Sequence, residues 1–254
     1  MKISVITAVR NCRTTIGSAI DSVCRQTYSD LEYVVVDGMS DDGTDDVIRE
    51  KASVINRSIR ESDTGIYDAL NKGLGAATGD VVGFLHADDF LATDHAVQQI
   101  ANKFQDDNLD AVYGDLVYVN AEHPETTVRY WKSGVFHRNR FRRGWMPPHP
   151  TVYVRREIYE RYGTYRTDIG SQADYECLLR LMYRHSIRVG YIPEVLVKMR
   201  QGGESNVSWK NRLMANAGDR EAWKVNGFRP PLGLRLTKPL SKIPQYFRKP
   251  LEEQ

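Results

Sequence analysis

The chain has 254 residues, of which 41% are hydrophobic and 27% are charged, and its formal net charge at pH 7 is +2. Its length suits one large α/β domain or two small ones, and its composition is that of a globular protein. So small a net charge gives no argument for a nucleic-acid partner, and no apolar run approaches the ~20 residues that cross a bilayer. Because the three cysteines are scattered and a strand-like segment begins at Ile3, we expect no disulfide scaffold, no secretory signal and a cytoplasmic location.

Strand and helix patterns alternate through the first 90 residues. Helical spacing of apolar residues begins near Ile16 and again near Ile66, and a polar loop opens a further helix at Thr44. The alternation predicts right-handed βαβ crossovers, and therefore an α/β fold whose mostly parallel sheet is covered by helices on both faces. The strands are expected at residues 3–8, 33–36, 58–60 and 81–85.

After about residue 120 the alternation loosens. Prolines from Pro230 to Pro250 prevent a long helix beyond Phe228. We therefore expect a single domain over residues 1–227 and a basic, Pro-rich tail over residues 228–254. The other elements expected beyond residue 90 are helices at 93–104, 156–162, 174–183 and 208–225, a strand at 126–132, and an Arg- and Pro-rich loop at 134–150.

The segment from Phe84 to Phe90 carries the strongest chemical signal, because an apolar strand ends there in the adjacent Asp88 and Asp89. Neighbouring carboxylates repel each other unless a cation or hydrogen-bond donors offset their charge, and Mg²⁺ or Mn²⁺ prefers such oxygen ligands. The alternative is that one of them only caps the following helix. Ligands of parallel sheets bind at the carboxyl ends of strands, where Thr7 and Asp37 also fall, so these polar positions are expected to converge.

Three further segments, read in order, point to a family. They are SVITAVRN at residues 4–11, VVVDGMSDDGT at 34–44 and SDTGIYDALNKG at 62–73. Together with HADD at 86–89 they resemble the family 2 glycosyltransferases over roughly residues 2–206, and the third segment is similar to a bacterial subgroup that builds capsules, exopolysaccharides and glycolipids. The resemblance implies the GT-A fold, with a nucleotide-sugar half over residues 1–120 and an acceptor half over residues 121–227.

The resemblance implies that Asp37 accepts a hydrogen bond from the imide N–H of the nucleotide base. A carboxylate accepts such a bond better than a neutral group does. Uridine is the default nucleoside, with guanosine and thymidine open, and a turn or helix-capping role is the alternative for Asp37. The full set of positions implied to bind the nucleotide is Thr7, Ala8, Arg10, Asn11, Asp37, Gly38, Ser40, Asp68, Lys72, His86 and Ala87.

The metal-binding DXD motif of the family maps onto residues 86–88, so His86 stands where a carboxylate is usual. The resemblance implies Asp88 as the principal ligand of a divalent cation, Mn²⁺ or Mg²⁺, with Asp89 behind it or on a sugar hydroxyl. Imidazole can ligate Mn²⁺ or donate a hydrogen bond to phosphate, but it suits Mg²⁺ less well than a carboxylate. A purely structural role at the strand end is the alternative for His86.

The catalytic base implied by the resemblance is Asp174, in the segment QADYECLLRL at residues 172–181. The acidic residue that usually precedes this Asp is Ala173 here. An Asp at the start of a helix is also a common cap. As a base, Asp174 would deprotonate an acceptor hydroxyl while it attacks the anomeric carbon in line, which inverts that centre in one displacement.

Two later segments match the subgroup more loosely. PHPT at residues 148–151 follows a loop with four arginines, and a glycine-containing segment spans residues 200–206. The resemblance implies that His149, Arg143 and Gly203 lie near the sugar or the acceptor, because arginine suits phosphate or an anionic acceptor and glycine permits close backbone approach. A solvated basic loop is the alternative.

Taken whole, the resemblance implies an inverting transferase that moves a sugar from a nucleotide-sugar, by default a UDP-sugar, to a saccharide or lipid-linked acceptor in cell-surface polysaccharide or glycolipid biosynthesis. His86 and Ala173 leave open a nucleotide-binding subunit without catalysis. A sugar nucleotidyltransferase is a further alternative, although residues 7–15 lack the Gly-rich loop and Lys typical of that class. The basic, Leu-containing tail suits peripheral contact with the inner membrane, or an arm packed on the domain.

Overall fold

A computed structural model describes residues 1–106, 108–202, 218–234, 237 and 245. Its first half confirms the predicted alternation of strands and helices. Four strands run parallel in the order β3–β2–β1–β4, and helices connect them. The elements are β1 (Ile3–Val9), α1 (Ile16–Cys24), β2 (Leu31–Asp37), α2 (Thr44–Glu50), β3 (Arg57–Arg60), α3 (Ile66–Ala76) and β4 (Val81–Phe84).

The second half extends the same sheet with mixed pairing. β8 joins β4 to β6 by antiparallel pairs on both sides, β6 pairs with β9 in parallel, and β5 and β7 add antiparallel edges. The sheet is therefore a continuous surface from β3 to β5. The elements are β5 (Phe90–Leu91), α4 (Ala96–Lys103), β6 (Ala111–Val119), β7 (Thr127–Trp131), β8 (Tyr153–Arg155), α5 (Arg156–Tyr162), α6 (Ala173–Leu178) and β9 (Val189–Arg200).

Helices cover both faces of the sheet, as predicted. On one face the apolar side chains of β1 and β2 pack against α1, α2 and α4, and on the other they pack against α3 and α6. Two glycines allow the closest approaches. A Cβ on Gly83 would lie 2.2 Å from the Tyr153 ring, and a Cβ on Gly73 would lie 2.4 Å from Ile6, so α3 and β8 can pack directly on the strands beside them.

Several predicted boundaries differ from the structure. The helix expected from residue 93 begins at Ala96, because the backbone N–H of Ala96 closes a turn on the carbonyl of Thr93. The helix expected at 174–183 changes into a π-helix at Leu179–Arg184, and the loop at 134–150 contains two 3₁₀ helices, Arg138–Arg143 and His149–Thr151. Residues 218–225 are helical, and the earlier part of the helix expected at 208–225 lies outside the described residues.

The described part of the tail packs on the domain. Phe228 packs edge-on against Tyr183, and Leu234 is 3% exposed within the core. Farther along, the Gln245 side-chain oxygen accepts a hydrogen bond of 2.8 Å from Arg129 Nε. Leu234 therefore does not serve the membrane contact that its place in the tail suggested, whereas Leu232 is fully exposed. Within the described residues, no helix combines the length and the apolar character that crossing a membrane requires.

Candidate active site

Asp37 lies at the end of β2, where both of its carboxylate oxygens accept hydrogen bonds. Its Oδ1 accepts hydrogen bonds from the backbone N–H (3.0 Å) and hydroxyl (2.5 Å) of Ser40, and its Oδ2 accepts one from Arg60 Nε at 3.0 Å. The Ser40 hydroxyl in turn accepts the backbone N–H of Asn11 at 2.9 Å. Asp37 therefore ties together the loops that follow β1, β2 and β3. Arg60 was not among the predicted site residues. The strand expected at residues 58–60 could have indicated it, because Arg60 lies opposite Asp37 in the β2–β3 register.

Position 38 has room only for glycine, because the Asp63 carboxylate lies against it. A Cβ on Gly38 would meet Asp63 Oδ2 at 2.1 Å, and the Gly38 backbone N–H donates to the carbonyl of Val9 at 2.9 Å. Asn11 adopts a left-handed conformation (φ 54°), and its side-chain oxygen accepts the backbone N–H of Asp41 at 3.0 Å. The backbone next to Asp37 is thus in contact with Asp63, a residue that was not among the predicted site positions.

The remaining nucleotide positions near β1 differ in exposure. Thr7 is fully buried, and its hydroxyl accepts a hydrogen bond from the Tyr33 hydroxyl at 3.0 Å. Ala8 is 7% exposed, whereas Arg10 is exposed. A nucleotide contact by Thr7 or Ala8 stays a prediction and would have to use the backbone, because the Thr7 hydroxyl faces the interior.

Asp68 and Lys72 stabilise the loop that carries Asp63. Asp68 Oδ2 accepts the backbone N–H of Thr64 at 3.0 Å, which lowers the pKa of Asp68. Lys72 Nζ donates to the carbonyl of Ser62 at 2.6 Å and pairs with Glu61 at 3.0 Å, and the Glu61 hydrogen bond raises the pKa of Lys72. The structure therefore gives both residues a role in loop conformation, and direct contact with a nucleotide stays a prediction.

His86 lies near both the predicted metal ligand, Asp88, and the predicted base, Asp174. Burial lowers the pKa of its imidazole, while the negative charges of Asp88 and Asp174 act in the opposite direction. Tyr67 borders the same place, since its hydroxyl donates to the carbonyl of Ser171 at 3.1 Å and its pKa is raised well above the usual range by burial and by the charge of Asp174. The fold therefore brings together Asp88 and Asp174, which are 86 positions apart in the chain.

Behind His86 lies a buried aromatic and polar cluster around His149. The two imidazole rings are 5.9 Å apart, and His149 stacks on Phe84 at 5.7 Å. His149 Nε2 and the Tyr165 hydroxyl are hydrogen-bonded at 2.6 Å, and burial, followed by the proximity of His86, lowers the pKa of His149 to about 3. His149 is 6% exposed, and its ring packs beside that of His86. The predicted contact between His149 and an acceptor stays a prediction. Tyr165 is fixed by two hydrogen bonds to the side chain of Asn71 in α3.

Arg200, at the end of β9, holds the turn that carries the two aspartates. Its Nη1 donates to the carbonyl of Asp88 at 2.7 Å, its backbone N–H donates to Asp89 Oδ1 at 3.2 Å, and its guanidinium lies 4.8 Å from the centre of the Phe90 ring. Asp89 is 1% exposed, and burial together with the charge of Asp88 raises its pKa well above the usual range. The Asp89 carboxylate is thus directed into the protein, and its predicted sugar contact stays a prediction.

The residues present fit a cation that is shared with a diphosphate. Among the described residues, no group of three or more His, Cys, Asp or Glu side chains has the geometry of a complete metal site. Mg²⁺ and related ions bound to nucleotides usually need only one or two carboxylates, since phosphate oxygens and water complete their coordination. Asp88 is half-buried beside His86, and the buried Asp89 Oδ2 has no hydrogen-bond partner among the described residues. A carboxylate cluster of this kind suits a divalent cation.

The other predicted acceptor residues are less well placed by the structure. Arg143 is exposed on the 3₁₀ helix Arg138–Arg143, and Phe141 of the same helix packs against Tyr175, the residue after Asp174, at 6.2 Å. The helix therefore borders the first turn of α6. Gly203 lies outside the described residues.

This arrangement of strands, loops and carboxylates has counterparts among known proteins. The profile described as Glycosyl transferase family 2 matches residues 4–163. The chain belongs to glycosyl transferase family 2. It is therefore a glycosyltransferase, an enzyme that builds glycans or glycolipids, and this assignment favours catalysis over the inactive-subunit and nucleotidyltransferase alternatives.

Sequence relatives of this family 2 glycosyltransferase carry the same enzyme class in their names. It is 29% identical over 208 residues to a PGL/p-HBAD biosynthesis glycosyltransferase of Mycobacterium tuberculosis (strain ATCC 25618 / H37Rv), a match that covers 80% of this chain and 78% of the relative. A shorter match, 44% identical over 108 residues, joins it to an uncharacterized glycosyltransferase of Nostoc sp. and covers 41% of this chain and 33% of the other.

Solved structures confirm the fold of this family 2 glycosyltransferase. Mannosyltransferase PcManGT from Pyrobaculum calidifontis, in complex with GDP-Man and Mn²⁺, superposes with a TM-score of 0.67 at 21% identity, covering 93% of this chain and 68% of the other. S. aureus TarS 1–349, in complex with UDP-GlcNAc, gives 0.66 at 18% identity, covering 97% and 78%. The α/β fold of GT-A type predicted from the motifs is therefore confirmed.

Proposed function

We propose that this enzyme transfers a sugar from a nucleoside diphosphate sugar, by default a UDP-sugar, to a hydroxyl of a saccharide or lipid-linked acceptor, with inversion of the anomeric centre. The observation that supports the proposal is that Asp88 and Asp174, far apart in the chain, both lie close enough to the buried His86 for their negative charges to act on its imidazole. Structural neighbours are titled as complexes with GDP-Man and UDP-GlcNAc, which supports a nucleotide-sugar as donor.

In the proposed reaction, Asp174 takes the proton of the acceptor hydroxyl as the acceptor oxygen forms its bond to the anomeric carbon. The bond from that carbon to the phosphate oxygen breaks, and its electron pair leaves with the nucleoside diphosphate. Asp174 is the second residue of α6, and its Oδ1 accepts the backbone N–H of Tyr175 at 2.6 Å, which fixes the carboxylate direction. Because the displacement has one step, the product has the opposite anomeric configuration to the donor.

Asp88, with His86 beside it, would hold the divalent cation against the diphosphate. Mn²⁺ or Mg²⁺ there supplies positive charge that offsets the negative charge developing on the leaving group. Arg200 fixes the backbone of Asp88, and the buried His149 supports the ring of His86. With imidazole in place of a carboxylate, we expect Mn²⁺ to support more activity than Mg²⁺.

Asp37 is proposed to accept the imide N–H of the base. Both of its oxygens already accept hydrogen bonds from Ser40 and Arg60, but a carboxylate offers about four acceptor sites and can take one more. The Arg60 contact keeps the Asp37 carboxylate oriented at the end of β2. A uridine or thymidine N3–H, or the guanine N1–H, satisfies the same acceptor.

The proposed roles predict distinct effects of two substitutions. Asp174→Asn should lower transfer by at least ~100-fold and leave donor affinity nearly unchanged, since the amide keeps the shape and loses the base. Asp88→Ala should abolish transfer and also weaken metal-dependent nucleotide binding. Transfer is measured as nucleoside diphosphate released from UDP-, GDP- and dTDP-sugars with Mn²⁺, and binding is measured by calorimetry.

Asp168→Asn serves as the matched control, because Asp168 is an exposed carboxylate six residues before Asp174 and pairs only with Arg166 among the described residues. It should retain full activity. Full activity in either Asp88→Ala or Asp174→Asn would remove that residue from the mechanism.

We propose a cytoplasmic enzyme whose tail contributes peripheral contact with the inner membrane. The three cysteines are free, which agrees with a reducing compartment. Sedimentation with anionic vesicles before and after deletion of residues 235–254 tests the tail. Equal sedimentation of both forms would contradict a tail contribution.

A further inference from the structure

Two exposed arginines of the 3₁₀ helix Arg138–Arg143 converge on one tyrosine. The Arg138 guanidinium lies 4.5 Å from the centre of the Tyr183 ring, and its Nε donates to the carbonyl of Tyr183 at 2.7 Å. Arg142 Nη1 donates to the hydroxyl of the same tyrosine at 3.3 Å. Arg184, next in the π-helix, is also exposed. Tyr183 is thus the centre of a positively charged face.

The positive face continues from Arg184 towards α5. His185 stacks on Tyr162 with ring centres 4.0 Å apart, and the Arg161 guanidinium lies 5.1 Å from the centre of the same tyrosine ring. Burial, and then the charges of Arg184, Arg180 and Arg161, lowers the pKa of His185. We define the Tyr183 face as the surface that Arg138 and Arg142 form on Tyr183, together with the adjacent Arg184 and with Arg161 on Tyr162.

Among the residues that the structure describes, no carboxylate pairs with an arginine of this face. Within the described residues, none of its four arginines forms an ion pair, whereas the neighbouring Arg156, Arg166, Arg180 and Arg188 all do. Unpaired like charges held close together raise the local potential and attract an anionic partner. The formal net charge of the whole chain is only +2, so the charge is local.

Two exposed apolar side chains, Val135 and Leu232, follow or precede segments of this face closely in the chain. Val135, three residues before the 3₁₀ helix, is 64% exposed, and its carbonyl accepts a hydrogen bond from Arg140 at 3.0 Å. Leu232 is fully exposed and lies four residues after Phe228, which packs on Tyr183 with ring centres 5.2 Å apart. Arginines mixed with exposed aliphatic side chains suit the interface of a bilayer, where phosphates meet acyl chains.

We propose that the Tyr183 face docks this enzyme on an anionic phospholipid bilayer. The four arginines contact lipid phosphates, and Val135 and Leu232 enter the headgroup region. Apolar insertion separates this partner from a soluble polyanion, which offers no apolar phase. The inference rests on the proposed function, because it assumes that the acceptor is carried by the membrane. The 3₁₀ helix Arg138–Arg143 packs through Phe141 on Tyr175, so an acceptor in the membrane reaches the surface next to Asp174.

The test is sedimentation of the full chain with phosphatidylcholine vesicles that contain ~30% phosphatidylglycerol, and with phosphatidylcholine vesicles alone. The variant carries Arg138→Gln, Arg142→Gln and Arg184→Gln. Because each arginine near an anionic surface contributes about a factor of five to partitioning, the variant should bind the anionic vesicles roughly 100-fold less well. Wild type should bind neutral vesicles weakly.

A matched control removes the same charge elsewhere through Arg25→Gln, Arg57→Gln and Lys103→Gln, all at exposed positions. The control should bind anionic vesicles within about threefold of wild type, and this margin allows for its smaller net charge. Thermal unfolding checks that both variants fold. Vesicle binding by the Arg138, Arg142 and Arg184 variant equal to wild type, or equal losses in variant and control, would overturn the proposal.

Two further measurements separate a docking surface from a single headgroup site, and the docking proposal from the proposed reaction. Dihexanoyl phosphatidylglycerol below its micelle concentration presents single headgroups. If the protein binds this lipid saturably and does not bind vesicles, the face is a headgroup site and no docking surface. That outcome also overturns the proposal. Release of nucleoside diphosphate in vesicle-free solution reports the chemistry. Failure of that reaction with vesicle binding intact would count against the proposed function and leave the docking face standing.

Discussion

At the scale of single residues, the site is shaped by carboxylates that are fixed by neighbours from distant loops. Asp37 is held by Ser40 and Arg60, and Asp63 lies against Gly38. Asp89 is buried behind Asp88. Each of these contacts orients a charge before any ligand arrives, so less ordering has to accompany binding.

Arg60 offers a direct test of this orientation. Arg60→Gln should weaken donor binding about 5- to 10-fold, because it removes charge-assisted hydrogen bonds to Asp37 Oδ2 and to the carbonyl of Ser40. Arg57→Gln, on the same strand, is the control and should leave affinity unchanged. Calorimetric titration with nucleoside diphosphate and Mn²⁺ measures the effect, and equal affinities for the two variants would contradict the role of Arg60.

Glu32 provides a residue-scale prediction about stability. Burial opposes its ionisation, but hydrogen bonds from the Ser4 hydroxyl (2.5 Å) and from Thr78 outweigh that cost and lower the pKa of Glu32 to about 2. A depressed pKa stabilises the folded state above the unfolded value of 4.5, and this contribution disappears as the pH falls towards about 2.

Glu32→Gln should therefore lower the free energy of unfolding at pH 7 by about 2 kcal/mol. It should also flatten the loss of stability between pH 4.5 and about 2, which is where the wild-type carboxylate becomes protonated. Urea denaturation at a series of pH values measures both effects. An unchanged pH dependence in the variant would show that Glu32 does not contribute to acid destabilisation.

At the scale of elements, one buried ion pair connects α6 to the end of α5. Arg180 donates to both oxygens of Glu176 and to the backbone carbonyls of Tyr162, Gly163 and Thr164. The loop it holds leads directly to the tyrosine that bonds His149. The Arg180 guanidinium therefore links the packing of α6 on α5 to the position of Tyr165 and His149.

Arg180→Ala should lower the free energy of unfolding by about 3–5 kcal/mol, because it leaves Glu176 buried and without its charged partner. Arg166→Ala, which removes an exposed pair with Asp168, should cost less than about 1 kcal/mol. Thermal and urea denaturation of the two variants give the comparison. Similar losses for both would mean that burial of the Arg180 pair is unimportant.

At the scale of the whole molecule, the end of the described chain is part of the core. Phe228 packs on Tyr183 and Trp223, and Leu234 is buried. A boundary at residue 227 would cut through this packing. We therefore predict that the domain needs these residues, although they follow the boundary expected from the proline pattern.

Two truncations test this view. Removal of residues 228–254 should lower stability by about 2–5 kcal/mol more than removal of residues 235–254, since only the longer deletion takes away the buried Phe228 and Leu234 side chains. Differential scanning calorimetry of the two forms measures the difference. Equal melting temperatures would support the boundary at residue 227 that the proline pattern suggested.

Local patterns in the chain were sufficient to predict the alternating first half of the fold, because apolar periodicity and turn residues act over a few positions. The resemblance to family 2 glycosyltransferases also implied Asp37, Asp88 and Asp174 as site positions, each at a strand end or a helix start. Only the tertiary structure decided that Arg60 holds Asp37, that the buried His149 lies beside His86, and that Arg138 and Arg142 meet on Tyr183. Those contacts join segments far apart in sequence, and no local pattern specifies which side chains meet once distant strands and helices pack.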